Sequence, residues 1–215
     1  MSRAVLMFHV FMFHPRPSPS LRSRRRYHSR MLADIDRVLV TRHQIAHRIA
    51  ELARQIVTDH GAGTADAEIT LVPILTGGMV FCADLMRQMP VRMRIGLMTV
   101  SSYPGKSTQT QGSNILTSKI GDLTGRHILL VDDILDSGGT LRLVIPMLKE
   151  HNPATVKSCV LLRKDRPTAR ETPVDYVGFD IPDEFVVGYG LDYDDYYRNL
   201  PDIVTLKRDV YQGSE

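Results

Sequence analysis

The stretch HILLVDDILDSGGTL, residues 127 to 141, decides how this 215-residue chain is read. Ile128, Leu129, Leu130 and Val131 form an unbroken apolar run without helical spacing, which predicts a strand buried on both faces of a parallel sheet. Asp132 and Asp133 follow where such a strand would emerge at its carboxyl end, the edge at which open α/β sheets bind ligands. Asp136 comes three residues later. Ser137, Gly138, Gly139 and Thr140 then supply a turn small enough for backbone N–H groups to converge on an anion at the start of a helix.

The order of these parts carries chemical information. A carboxylate repels phosphate, so acids placed before the glycines predict that hydroxyls are bound first and a phosphate second. A ribose 5-phosphate fits this order, with its 2- and 3-hydroxyls donating to Asp132 and Asp133 and its phosphate in the Ser137 to Thr140 turn. Hydrogen bonds of this charged kind are worth roughly 1.5 to 3 kcal/mol each. A P-loop would need Lys after its last Gly, and a dinucleotide fingerprint would need GxGxxG; neither pattern is present here.

Composition limits the rest. The chain is long enough for one α/β domain with a full core, and it shows no internal repeat. Its net charge of +3 is set by the first thirty residues, which hold seven arginines and no acid. Residues 31 to 215 carry 20 basic and 24 acidic side chains. That balance predicts no nucleic-acid partner. Cys82 and Cys159 lie in apolar surroundings without CxxC spacing, as expected of core thiols in a reducing, cytoplasmic compartment. No apolar run reaches the eighteen or so residues that a membrane span needs, so no membrane partner is expected. Residues 1 to 30 read as a disordered or spuriously extended basic leader, with Met31 as an alternative start and residues 31 to 215 as a single domain. An organelle transit peptide and a basic arm are the other readings of that leader.

From Asp36 the pattern sharpens. Val38 to Val40 predicts a strand, Thr41 an N-cap, and Ile45, Ile49, Leu52 and Ile56 a helix running to His60. Within it, HQIAH at 43 to 47 is similar to a zinc-protease helix but has Gln44 where the general base must stand, so both histidines are expected at the surface. Ile69 to Leu75 predicts a second buried strand, and Thr76, Gly77 and Gly78 a second glycine turn before a helix over Met79 to Met89. Met93 to Val100 reads as one strand, followed by a polar loop from Ser101 to Asn114 of the length that lids have. Leu141 to Glu150 continues as a helix, which Pro146 is expected to kink. Val156 to Leu162 is the next strand, ending in Arg163 and Lys164.

The stretch DDILDSGGT, two acids, two apolar residues, then Asp, a small hydroxyl residue, Gly and Thr, closely resembles the phosphoribosyl pyrophosphate motif of the purine phosphoribosyltransferases. The segment from Val174 to Ile203, with EFVVGYGLDYDDYYRNLP at its centre, resembles the hypoxanthine-guanine members. The resemblance covers about Val38 to Val204. It implies an α/β, type I phosphoribosyltransferase fold: a central parallel sheet flanked by helices, with a small hood and a flexible lid loop. It also implies a glycosyltransferase of purine salvage that joins phosphoribosyl pyrophosphate to N9 of hypoxanthine or guanine, giving IMP or GMP and pyrophosphate.

The same resemblance assigns roles residue by residue. Thr76 and Gly77 grip pyrophosphate through a strained peptide at Leu75 to Thr76, although many members have Lys where this chain has Thr76. Ser102 and Tyr103 match the lid pair that closes over pyrophosphate. Lys164 donates to the oxygen at C6 of the base, Phe185 stacks on the purine, Val186 offers backbone groups to its edge, and Arg198 reaches the pyrophosphate. Asp192, with Asp132 and Asp133, positions a magnesium ion. Asp136 stands at the general-base position and accepts the N7 proton. Tyr189, Tyr193, Tyr196 and Tyr197 read as a hydrophobic hood packed on the sheet. Relatives imply a homo-oligomer, a dimer or tetramer. A regulator on this scaffold and a pyrimidine transferase are the rival readings. The first lacks a basic groove outside the leader, and the second is disfavoured by Lys164 with Phe185.

Overall fold

Nine residues, His127–Leu135, form the central strand β6 of a seven-stranded sheet in the computed structural model, which describes residues 31–60, 68–101 and 114–211. The apolar run behaves as its sequence demands. Ile128, Leu129, Leu130 and Val131 are all fully buried, with alternate residues facing opposite layers. The strand does not stop at the acids, however. Asp132 remains in register with Val160, and Ile134 and Leu135 with Leu162 and Arg163 of β7 (Thr155–Lys164), because the ladder continues beyond the apolar run.

Around β6 the sheet is parallel, as expected. β2 (Glu68–Leu75) pairs on one side, and β7 followed by β8 (Tyr176–Ile181) on the other. The expected strand over 93 to 100 is two: β3 (Arg92–Ile95) lies beside the start of β2 and β4 (Leu97–Ser101) beside its end. The chain breaks at Gly96, whose N–H donates to the Leu71 carbonyl at 2.8 Å. An antiparallel edge strand, β5 (Asn114–Lys119), completes the order β5-β4-β2-β6-β7-β8.

Helices cover both faces. α1 (Arg42–Asp59) begins in a capping box, where the Gln44 N–H donates to Thr41 Oγ1 at 3.3 Å and the Thr41 N–H to Gln44 Oε1 at 2.9 Å. Such caps are worth about 1 kcal/mol. Ile45, Ile49, Leu52 and Ile56 are buried in one core with Ile69 and Leu71 of β2, the helix lying along α2 (Gly78–Arg87) and β8, while His43 and His47 stay at the surface. On the other face, Leu141, Val144 and Leu148 of α3 (Gly139–Lys149) pack on Val72, Ile128 and Val160. Burial of each of those side chains contributes about 1.5–3 kcal/mol. α3 continues through Pro146, which has no N–H to offer the Arg142 carbonyl.

A short helix, α4 (Pro167–Arg170), follows β7. A second, three-stranded antiparallel sheet joins distant parts of the chain, with β1 (Ile35–Val40) beside β10 (Ile203–Leu206) and β10 beside β9 (Val186–Val187). Its inward residues Val40, Val186 and Ile203 belong to the core under α1. The last described helix is α5 (Arg208–Tyr211). The chain divides into two units, Met1–Asp34 and Ile35–Glu215; of the first only residues 31–34 are described, and the fold is that of the second. Among the described residues no helix is long and apolar enough to cross a membrane. Cys82 and Cys159 are free and buried, and burial pushes the Cys82 thiol up to about 11 and the Cys159 thiol higher still.

Candidate active site

Two strand, turn and helix units meet at the carboxyl edge of the parallel sheet. In the first, β2 ends at Leu75, the Leu75–Thr76 peptide is cis, and Gly77 leads into α2. In the second, β6 ends at Leu135 and Gly138 caps α3 with φ 80, a left-handed conformation that favours glycine. A side chain at 138 would also collide with Thr172 and Arg142, which bond to each other at 2.7 Å while Arg142 donates to the Ser137 carbonyl at 2.7 Å.

The two units touch. A Cβ on Gly77 would overlap the Asp133 carboxylate, so the absence of a side chain at 77 gives that acid its place. Asp132 and Asp133 are each other's neighbours: the Asp133 N–H donates to Asp132 Oδ1 at 3.0 Å and the Ile134 N–H to Asp133 Oδ1 at 2.8 Å. Burial and the adjacent Asp133 charge hold the Asp132 carboxyl well above the usual range. Burial raises Asp133 too, and its bonds to Asp132 and the Ile134 N–H, with the Arg198 charge, offset part of that. Such a buried pair of like charges suits further donors, whether hydroxyls or a cation.

The carboxyl-terminal segment closes the same edge. Gly190 abuts the Gly77 carbonyl, and Arg198 donates to the Gly190 carbonyl at 2.8 Å and pairs with Asp192 at 2.7 Å. Arg198 thus arrives beside Asp133 and the Gly77 turn. Among the described residues no three acids, histidines or cysteines form a metal cluster. Phe185 is 39% exposed, with the Tyr211 ring stacked at 5.2 Å and Tyr193 edge-on at 5.7 Å. Val186 is buried in β9, in register with Thr205. Tyr189 is buried and donates its hydroxyl to Asp84 of α2, whereas Tyr196 is 69% exposed. Ser102 and Tyr103 lie outside the described residues, as does most of the expected lid.

Beyond the acids, Asp136 is held by two cations, Lys164 at 3.3 Å and Arg166 at 2.7 Å. Lys164 ends β7 and is buried; it also faces Asp183 at 3.6 Å. Arg166 and Asp183 were not legible as site residues. The only sequence signal is a second cation two residues after Lys164 and an acid two residues before Phe185.

A profile of the phosphoribosyl transferase domain matches residues 39–194. The chain belongs to the phosphoribosyltransferase family. It is 44% identical over 182 residues to a Mycobacterium tuberculosis protein named hypoxanthine-guanine phosphoribosyltransferase, covering 83% of this chain and 90% of that one. An Escherichia coli hypoxanthine phosphoribosyltransferase is 42% identical over 166 residues, covering 76% and 91%. Among solved structures, a Staphylococcus aureus hypoxanthine phosphoribosyltransferase superposes with a TM-score of 0.76 at 36% identity, over 84% of this chain and 96% of that one. The α/β phosphoribosyltransferase architecture implied by the resemblance over about Val38 to Val204 is therefore the observed one, and the acidic turn lies inside the matched domain.

Proposed function

We propose that this phosphoribosyltransferase makes a nucleoside monophosphate from phosphoribosyl pyrophosphate and a 6-oxopurine, releasing pyrophosphate. The observation that carries the reading is the contact between Asp136 and Lys164, 3.3 Å apart at the end of adjacent strands. It sets a proton acceptor and an oxygen-reading donor side by side, as a 6-oxopurine requires along the edge that presents N7 and the C6 oxygen.

In this reading the ribose hydroxyls donate to Asp132 and Asp133, and the 5-phosphate sits on the N–H groups of the Ser137 to Thr140 turn, at the start of α3. Thr76 and Gly77 hold the pyrophosphate, with Arg198 as its cation. Phe185 and the Val186 backbone take the base. Asp136 accepts the N7 proton as N9 bonds to the anomeric carbon, a step worth typically about 10² to 10⁴-fold. Lys164 favours the 6-oxo group and confronts the 6-amino group of adenine with a second donor. Leaving such buried groups unpaired costs about 1–3 kcal/mol each.

Asp132 and Asp133, with Asp192, are the residues that would hold Mg²⁺; the buried, like-charged Asp132 and Asp133 pair fits a cation, while Asp192 is already paired with Arg198. A hard cation that keeps waters and takes one or two carboxylates plus substrate phosphates needs no three-acid cage. Bound there, it would neutralise pyrophosphate and improve it as a leaving group. We place the enzyme in the cytoplasm as a homo-oligomer, with residues 31 to 215 as its catalytic domain.

The test is a pyrophosphate-release assay with phosphoribosyl pyrophosphate, magnesium and, in turn, hypoxanthine, guanine, xanthine, adenine and uracil. Release with hypoxanthine or guanine and none with adenine or uracil is expected. Release with uracil alone would overturn the reading.

A further inference from the structure

Beside the acidic turn, four charged side chains close a ring. Asp136 meets Lys164 at 3.3 Å and Arg166 Nη1 at 2.7 Å; Asp183 meets Lys164 at 3.6 Å and Arg166 Nε at 2.6 Å. Each cation touches both acids, and the four charges cancel. Lys164 is the buried member, while the other three side chains are about two-fifths exposed.

The valence of the ring is informative. An ammonium has three N–H donors; Asp136 takes one at 3.3 Å, and Asp183 at 3.6 Å is an ion-pair neighbour beyond hydrogen-bond reach, so a donor remains for a base oxygen. Removing Arg166 would leave two carboxylates competing for that single ammonium. It would also strip Asp136 of one of its two cations among the described residues. The guanidinium reaches both acids at once, donating from Nη1 to Asp136 and meeting Asp183 through Nε as an ion pair, where a second lysine would offer a point charge. Its origin is also fixed. The Arg166 N–H donates to the Lys164 carbonyl at 2.9 Å, and the Arg166 carbonyl accepts from the Arg170 N–H at 2.9 Å as α4 begins. Both carboxylates bind the guanidinium in its charged form, and Arg166 is the largest cause holding the Asp183 carboxyl below its usual range.

We infer that Arg166 is a positioning residue for the transfer. It orients the Asp136 carboxylate and neutralises Asp183, so that the remaining donor of Lys164 is free for the oxygen of the base. Arg166 itself touches no substrate. The inference rests on the proposed roles of Asp136 and Lys164.

The experiment measures kcat, the KM values for hypoxanthine and phosphoribosyl pyrophosphate, and Tm for the full chain and for Arg166→Gln, Arg166→Lys, Asp183→Asn and the Arg166→Gln/Asp183→Asn double variant. Arg166→Gln lowers kcat/KM for hypoxanthine about 10-fold, the size of one coupled contact, and leaves the KM for phosphoribosyl pyrophosphate unchanged. The lysine variant recovers part of the loss. The double variant restores a neutral pair of Asp136 and Lys164 and therefore exceeds the Arg166→Gln single in activity. A purely structural surface ion pair would instead give changes of about 2-fold or less throughout. Wild-type kinetics in Arg166→Gln, or a double variant whose loss is the product of the two single losses, overturns the inference. Asp136→Asn separates it from the underlying reading. Normal turnover there removes Asp136 as the base, whereas impaired turnover beside an unaffected Arg166→Gln removes only the role of Arg166.

Discussion

The β2–α2 and β6–α3 units follow one local plan, a buried parallel strand, a glycine turn and a helix, and they lie side by side in the sheet. Their turns differ in charge. The first, Thr76 to Gly78, contains no ionisable side chain and approaches its neighbours through bare backbone. The second begins with Asp136, just after Asp132 and Asp133 at the end of β6, and Asp136 takes its cations from elsewhere, as Lys164 and Arg166 from β7 and its extension. A neutral turn can hold an anion without help. An acidic turn can accept protons and donors, and it depends on its neighbours to remain folded and charged. In the proposed function the pair divides the work: grip in the first turn, chemistry and ribose recognition at the second.

Removing the chemistry from the second turn gives the largest expected effect. Asp136→Asn lowers kcat by about 10² to 10⁴-fold with little change in the KM for either substrate, as read by steady-state kinetics. The first turn is expected to respond the other way. In Gly77→Ala the new methyl displaces the Asp133 carboxylate, and the KM for phosphoribosyl pyrophosphate rises about 10 to 100-fold, the loss of one or two hydrogen bonds to a charged group. A Gly77→Ala enzyme with unchanged KM would show that the two turns do not depend on each other.

The smallest effect concerns stability. Burial and the Asp133 charge raise the Asp132 carboxyl in the folded protein, so its ionisation costs stability at neutral pH. Asp132→Asn removes that cost and raises Tm by about 2–4 °C at pH 7, the equivalent of about 1 kcal/mol in a chain of this size. Because a raised carboxyl favours the folded state only while protonated, the gain shrinks as pH falls through the folded value and vanishes below the unfolded one. Thermal melts of the two proteins across pH check this; a Tm that falls at neutral pH would show that Asp132 is satisfied in the free protein. The acid would then be kept for its bonds rather than for its ligand.

The second turn was legible because its parts are contiguous. An apolar run, the acids, the glycines and the helix they launch fall within residues 127 to 141, so local rules suffice. Lys164 was legible through resemblance at the end of a strand. What joins the site across the chain was not. Arg166 and Asp183 are separated from Asp136 by 30 and 47 positions, and no local pattern states that the ends of β7 and β8 bring them to the turn. The small sheet was invisible for the same reason, since β1 and β10 stand at opposite ends of the domain. Elsewhere a local pattern misleads. An apolar strand from 93 to 100 hid the break at Gly96, and Tyr196, grouped with its aromatic neighbours, turned out to face solvent.

The division of labour between the turns is tested most directly by equilibrium binding of phosphoribosyl pyrophosphate with magnesium to Asp136→Asn and Gly77→Ala, measured beside their turnover with hypoxanthine. The account predicts that Asp136→Asn binds as the parent does and fails to turn over, while Gly77→Ala binds about 10 to 100-fold more weakly. Parent-like turnover in Asp136→Asn, or parent-like affinity in Gly77→Ala, would contradict it.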